Sequence, residues 1–90
     1  MILDKIQNYY EKLVLAEVLR QMAEDGNNYP ESTLEDVVCV ALNDLPPRYV
    51  RHTVDIAFYM TRTERETIDT MIKQAVKEAF VLVTSNPHPD

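Results

Sequence analysis

Ninety residues with a single glycine, no tryptophan and 46% hydrophobic side chains describe one domain, too apolar for intrinsic disorder and too poor in turn formers for a β-sandwich. The formal net charge of −6 argues against bulk nucleic acid as a partner, because an acidic surface repels a long phosphate backbone. There is no run of 18 apolar residues and no cleavable signal segment, so a soluble cytoplasmic protein that does not cross a membrane is expected.

From Leu3 to about Glu24 the chain contains neither proline nor glycine, and apolar side chains recur from Ile6 through Tyr10, Leu13, Val14, Val18 and Leu19 to Met22. That periodicity predicts one long helix. Its apolar arc spans more than a third of the circumference, wider than one neighbouring helix covers in a chain this short, so packing of the helix against a second copy is expected. Glu17 falls inside this arc, and a basic partner from across the dimer is expected for it. The segment Asp25-Gly26-Asn27-Asn28-Tyr29-Pro30 ends the helix, with Gly26 suited to a left-handed cap and the asparagines to a turn.

Ser32-Thr33-Leu34-Glu35 has the capping-box pattern, and Leu34, Val37, Val38, Ala41, Leu42 and Leu45 follow at helical spacing. A second helix from about Thr33 to Asp44 is predicted. Its β-branched Val37, Val38 and Val40 disfavour the helix slightly, so it should depend on burial and be the most buried element. Cys39, the only cysteine, excludes an intrachain disulfide and a multi-cysteine zinc site within one chain, and is expected to be a small buried hydrophobe.

Pro46 and Pro47 stop this helix, because they lack backbone donors and fix φ, and Pro47 holds Pro46 away from helical ψ. The residues that follow are therefore held extended. Arg48 and Tyr49 come next, presented by a stiff connector, which lowers the ordering cost of binding. Charge singles out the same region. Residues 1–47 carry three basic against nine acidic side chains, whereas residues 48–65 carry Arg48, Arg51, Arg62 and Arg65 against Asp55 and Glu64. An all-arginine island suits phosphate or the O6/N7 edge of guanine. A small anionic ligand is the class that fits it.

Each of these residues has a purely structural reading beside the functional one. Arg48 and Arg51 could pair with Asp44 and Asp55. Tyr49 could be core or a stacking face. Asn43 could hydrogen-bond a base edge, although a cap on the second helix is the more ordinary role. His52 has no support beyond its position. Val54 to Met60 alternates at period two, which suggests either a short extended segment, preferred here, or a helical turn. Capping patterns at Thr61-Arg62-Thr63-Glu64 and Thr63-Glu64-Arg65-Glu66 then open a last helix, with Ile68, Met71, Ile72, Ala75, Val76, Ala79, Phe80 and Val83 on one face. It should end near Thr84, leaving residues 85–90 as a disordered tail.

No Gly-rich phosphate loop, HExxH or nucleophile elbow occurs, and His52 and His88 are too scattered for a metal site. A non-enzymatic protein without cofactor or metal is expected. The fold expected is all-α, with three main helices in one domain over residues 1–84, a short extended or helical connector after the Pro-Pro turn, and packing as a homodimer.

The string Asn43-Asp44-Leu45-Pro46-Pro47-Arg48-Tyr49-Val50, preceded by Asp36, by Val40-Ala41-Leu42 and by Tyr10-Glu11-Lys12-Leu13-Val14 in the first helix, resembles the late competence development protein ComFB family over residues 5–82. The resemblance implies a small, mainly helical, dimeric protein, and members from cyanobacteria are receptors for cyclic di-GMP. It therefore implies ligand-binding roles for Arg48, Tyr49, Arg51, Asn43 and His52. Two phosphates and two guanines ask for arginines, an aromatic face and an amide, and a two-fold dimer would match the symmetry of the ligand. Some members bind zinc through clustered cysteines between the first two helices. Here Asn27-Asn28-Tyr29-Pro30-Glu31-Ser32 stands in that place, so the metal is not carried over. The alternative is a ligand-free dimeric adaptor that docks a protein partner through Pro46-Pro47-Arg48-Tyr49, with a small hydrolase as a third class.

Overall fold

The structure, a computed structural model, describes residues 6–51 and 60–85. Among the described residues three helices make the body: α1 over Tyr10–Asp25, α2 over Glu31–Asp44 and α3 over Arg62–Ser85. Two short strands, β1 at Gln7–Asn8 and β2 at Tyr49–Val50, pair antiparallel, with Gln7 opposite Val50 and Asn8 opposite Tyr49. The expected all-α architecture with three helices is therefore present, with this two-residue ladder added to it.

The first helix starts later than the expected Leu3. Asn8 is the reason: its side-chain Oδ1 accepts from the Tyr10 N–H at 3.1 Å, an Asx-type turn that competes with a helical backbone, and residues 7–8 are engaged in the ladder instead. The other end follows the sequence. Gly26 lies at φ 72°, ψ 11°, and its N–H reaches the Ala23 and Met22 carbonyls, the left-handed cap that a side chain would resist.

α2 starts at Glu31, two residues before the expected boundary, and without the Ser32–Glu35 capping box. Pro30 precedes it at φ −59° and no side chain caps the end; the Pro30 carbonyl accepts the Leu34 N–H at 3.2 Å. The ring presets φ for helix entry and its missing donor costs nothing there. α3 does use its capping hydroxyl, with Thr61 Oγ1 accepting from the Glu64 N–H at 3.1 Å, and it runs one residue past the expected Thr84.

The core is built around α3 rather than α2. α3 buries Ile68, Ile72, Ala75, Val76, Ala79, Phe80 and Val83, a stripe at helical spacing that packs against both other helices. α1 contributes Tyr10, Val14 and Val18, and α2 only Val37 and Ala41, with Leu45 following at the next turn. α2 is thus not the most buried element, because its other apolar side chains, Leu34, Val38, Val40 and Leu42, are only partly buried where they pack against the core. Tyr29 in the α1–α2 loop meets Phe80, with ring centroids 5.6 Å apart and planes at 41°, which closes that loop onto α3.

Two further expectations change. Cys39 is exposed, because it lies on the outer side of α2, opposite Val37 and Ala41. Glu17 is buried, but its partner belongs to its own helix: Arg20 Nε and Nη2 donate to its two oxygens at 2.9 and 2.6 Å, and Gln21 Nε2 at 2.8 Å. These bonds hold the Glu17 carboxyl below its ordinary range, with the Arg20 guanidinium the largest cause, desolvation opposing it, and Lys73 adding a smaller favourable field. The Gln21 amide also donates to the Lys73 carbonyl at 3.1 Å, which ties the network to α3.

Candidate functional site

Asp44 is the last residue of α2, and Leu45 turns out of the helix at φ −103°, ψ 142°. Its side chain stays in the core at 6% exposure, so the elbow is anchored from inside before the prolines begin. Pro46 and Pro47 offer no N–H groups. The first donor after them is Arg48 N–H, which reaches Asn8 Oδ1 at 3.2 Å. The Arg48 carbonyl accepts the Tyr9 N–H. Both backbone groups of Arg48 are thus held by residues 8 and 9, and the ladder continues this attachment through Tyr49.

The side chains at this point face solvent. Arg48 and Arg51 are exposed, and Tyr49 has 68% of its surface exposed, which decides between its two readings in favour of a free aromatic face. Among the described residues neither Arg48 nor Asp44 enters an ion pair. Arg62 and Arg65 are also exposed, with Arg62 near Glu66 at 3.4 Å, a solvated pair of small consequence. His52 and Asp55 lie outside the described residues, as do Val54 to Tyr59 of the alternating segment and residues 86–90.

Asn43 goes elsewhere. It is exposed in the last turn of α2 and does not cap it: Leu45 occupies the cap position, with its N–H on the Leu42 carbonyl at 3.3 Å. With Val40, Asp44, Glu78, Val81 and Leu82, Asn43 lines a groove of about 570 Å³ between α2 and α3. A second groove of about 450 Å³ between α1 and α2 is floored by Leu15, Leu19, Leu34 and Val38, with Glu31, Glu35 and Cys39 beside them. Neither groove is lined by Arg48, Tyr49 or Arg51. The structure therefore presents Arg48 and Tyr49 on the elbow, while Asn43 lines the α2–α3 groove, where Ala75 and Ala79 join Val40, Val81 and Leu82 to make most of the wall apolar.

Asn8 is the residue that sequence reasoning missed. The signal was there: Asn8-Tyr9-Tyr10-Glu11 is an asparagine followed three residues later by a glutamate, the pattern of a helix start, inside a stretch that the apolar periodicity assigned to helix. Among the described residues no group of three or more histidines, cysteines or carboxylates could hold a metal ion, and no helix is long and apolar enough to cross a membrane.

Comparison with known proteins gives a consistent picture. No curated protein matches the chain. A solved structure described as the structural characterization of the late competence protein ComFB from Bacillus subtilis is similar to it, with a TM-score of 0.66, 22% identity, and 92% of each chain covered; at that identity the likeness shows the shared fold. The family model for the late competence development protein ComFB matches residues 7–87, nearly the whole chain including both strands, all three helices and the Pro46–Tyr49 elbow, and the chain therefore belongs to the ComFB family.

Proposed function

We propose that this chain is a small, non-enzymatic cytoplasmic signalling protein that binds cyclic di-GMP as a homodimer, with Arg48 and Tyr49 as the primary contacts and Arg51 beside them. The observation that carries this reading is the elbow itself. The Arg48 backbone is held at both its N–H and its carbonyl, while the guanidinium and the Tyr49 ring stand in solvent. Such an arrangement offers a phosphate fork and a stacking face with little left to order on binding. Asn43 belongs to the set that the resemblance implies, although it lines the α2–α3 groove and not the elbow. His52 completes the proposed set, as the resemblance implies.

The dimer is supported by the surface of α1. Leu15 and Leu19 are 48% and 46% exposed and continue into Leu34 and Val38 of α2, an apolar strip that a second copy would cover. Two elbows related by a two-fold axis would then address the two halves of the nucleotide.

Calorimetric titration with a panel of cyclic dinucleotides tests the reading. At a hundredfold excess over Kd, binding to the native state alone contributes about 2.7 kcal/mol, which raises Tm by about 10–20 °C for a domain of this size. Arg48→Ala should lose most of that rise. An unchanged melt at saturating nucleotide refutes the receptor reading and favours the adaptor that docks a partner through Pro46–Tyr49. Turnover of the nucleotide, detected by product analysis, would refute the non-enzymatic assignment.

A further inference from the structure

We infer that Asn8 is the positioning residue of the elbow, and that its single carbonyl oxygen sets where the Arg48 guanidinium and the Tyr49 ring stand. Its role in ligand binding rests on the proposed receptor function; its role in ordering the elbow does not.

Pro46 and Pro47 remove two consecutive backbone donors, so nothing after Leu45 can be fixed by an N–H until Arg48. That first available donor is taken by Asn8 Oδ1 at 3.2 Å. The same oxygen takes the Tyr10 N–H at 3.1 Å, one of the donors that the start of α1 leaves without a helical partner. One acceptor with two lone pairs thus joins the beginning of α1 to the chain leaving α2, across 40 positions of sequence. The Tyr9 N–H then takes the Arg48 carbonyl, and Asn8 sits opposite Tyr49 in the ladder. Asn8 is half-buried, whereas Arg48 and Tyr49 are exposed. It therefore acts through their backbone and leaves their side chains free for a ligand.

The chemistry limits what can replace it. Alanine removes the acceptor from both N–H groups. Serine keeps an oxygen able to cap the Tyr10 N–H, but its Oγ sits on Cβ, one carbon short of the place of Oδ1, and does not reach Arg48. Aspartate keeps both bonds.

The test measures amide hydrogen exchange in the full chain, without nucleotide, for the wild type, Asn8→Ala, Asn8→Ser and Asn8→Asp. Asn8→Ala should speed exchange at Arg48 and Tyr10 by about tenfold, the scale of one lost hydrogen bond, with the α3 amides from Ile72 to Val76 unchanged. Asn8→Ser should release Arg48 while keeping Tyr10 protected, and it carries the comparison where the alanine variant does not fold. Asn8→Asp should restore protection at Arg48. Unchanged Arg48 exchange in the serine variant overturns the inference, as does an equal rise across α3, which would mean general destabilisation.

The second measurement is cyclic di-GMP affinity well below the melting temperature. Loosening the elbow lowers the population of the competent state, so Asn8→Ser should weaken binding by about five- to tenfold with Arg48 and Tyr49 intact. Equal affinity in the serine variant and the wild type overturns the link from ordering to binding. A wild type that binds no cyclic dinucleotide refutes the receptor function, and the exchange data still decide the role of Asn8.

Discussion

Leu45→Ala tests the way in which the core reaches the elbow. The side chain is 6% exposed and lies one helical turn beyond Ala41 on the buried edge of α2, directly before two prolines that cannot adapt their φ. Truncation removes three buried carbons and leaves a void that the stiff chain behind it is poorly able to fill. Leucine-to-alanine changes in cores cost about 2–5 kcal/mol, and a site at the end of a helix belongs near the lower end, about 2–3 kcal/mol. For a domain of this length each kcal/mol lowers Tm by about 4–8 °C, so the expected fall is about 10–20 °C, followed by circular dichroism at 222 nm and checked by urea unfolding with an unchanged m-value. Tyr49→Ala is the counterpart. With 68% of its surface exposed it should change stability by less than about 0.5 kcal/mol, while abolishing any stacking contribution to binding. A Leu45→Ala protein that melts within about 3 °C of the wild type, or a Tyr49→Ala protein destabilised as much as Leu45→Ala, would show that the elbow is anchored in some other way.

Leu15→Glu combined with Leu19→Glu should leave the monomer fold intact, since both side chains are about half exposed, and should shift sedimentation of the proposed dimer to monomer; a persisting dimer would move the interface to another face, and a wild type that already sediments as a monomer would refute the dimer. The Glu17 carboxyl is held below its ordinary value of 4.5 by Arg20 and Gln21, so the folded state binds its proton less readily than the unfolded state. Its contribution is complete above that ordinary value and is lost as pH falls through the lower folded value. Urea midpoints should therefore decline as pH falls below the ordinary value of 4.5, and Glu17→Gln should flatten the part of that decline due to this residue; an identical pH profile in the two proteins would remove Glu17 as a source.

Periodicity was a good guide wherever burial determines structure. Ile68 to Val83 reads as one stripe in sequence and is one stripe in space, and the Gly26 cap needs only the chemistry of a residue without Cβ. The boundaries were lost where a polar side chain overrides a local pattern: Asn8 diverts its backbone to a segment 40 residues away, which no window of neighbouring residues contains. Cys39 and the low burial of α2 were misread for a related reason. An apolar run such as Val37-Val38-Cys39-Val40 gives composition without direction, and only the packed helices decide that Val37 faces in and Cys39 out. Glu17 is unusual in sequence as in space, and its partner is the arginine three residues on, a spacing that faces it on the same helix without any second copy. Within the proposed site, the exposure of Arg48 and Tyr49 is legible because the prolines dictate local geometry, whereas the place of Asn43 in the α2–α3 groove depends on how the two helices pack.

The attachment of residues 7–9 to residues 48–50 also bears on the order in which the molecule assembles. Closing a ring of some forty residues costs entropy that two short strands cannot repay, so the ladder has to wait until the α1–α2 hairpin has brought its ends together. The arginine and tyrosine surface is then expected to form after the helices dock, an order that protection of the Arg48 amide in pulse-labelled exchange during refolding would check. A partner or nucleotide that reads it is reading, at the same time, whether the helices beneath have docked.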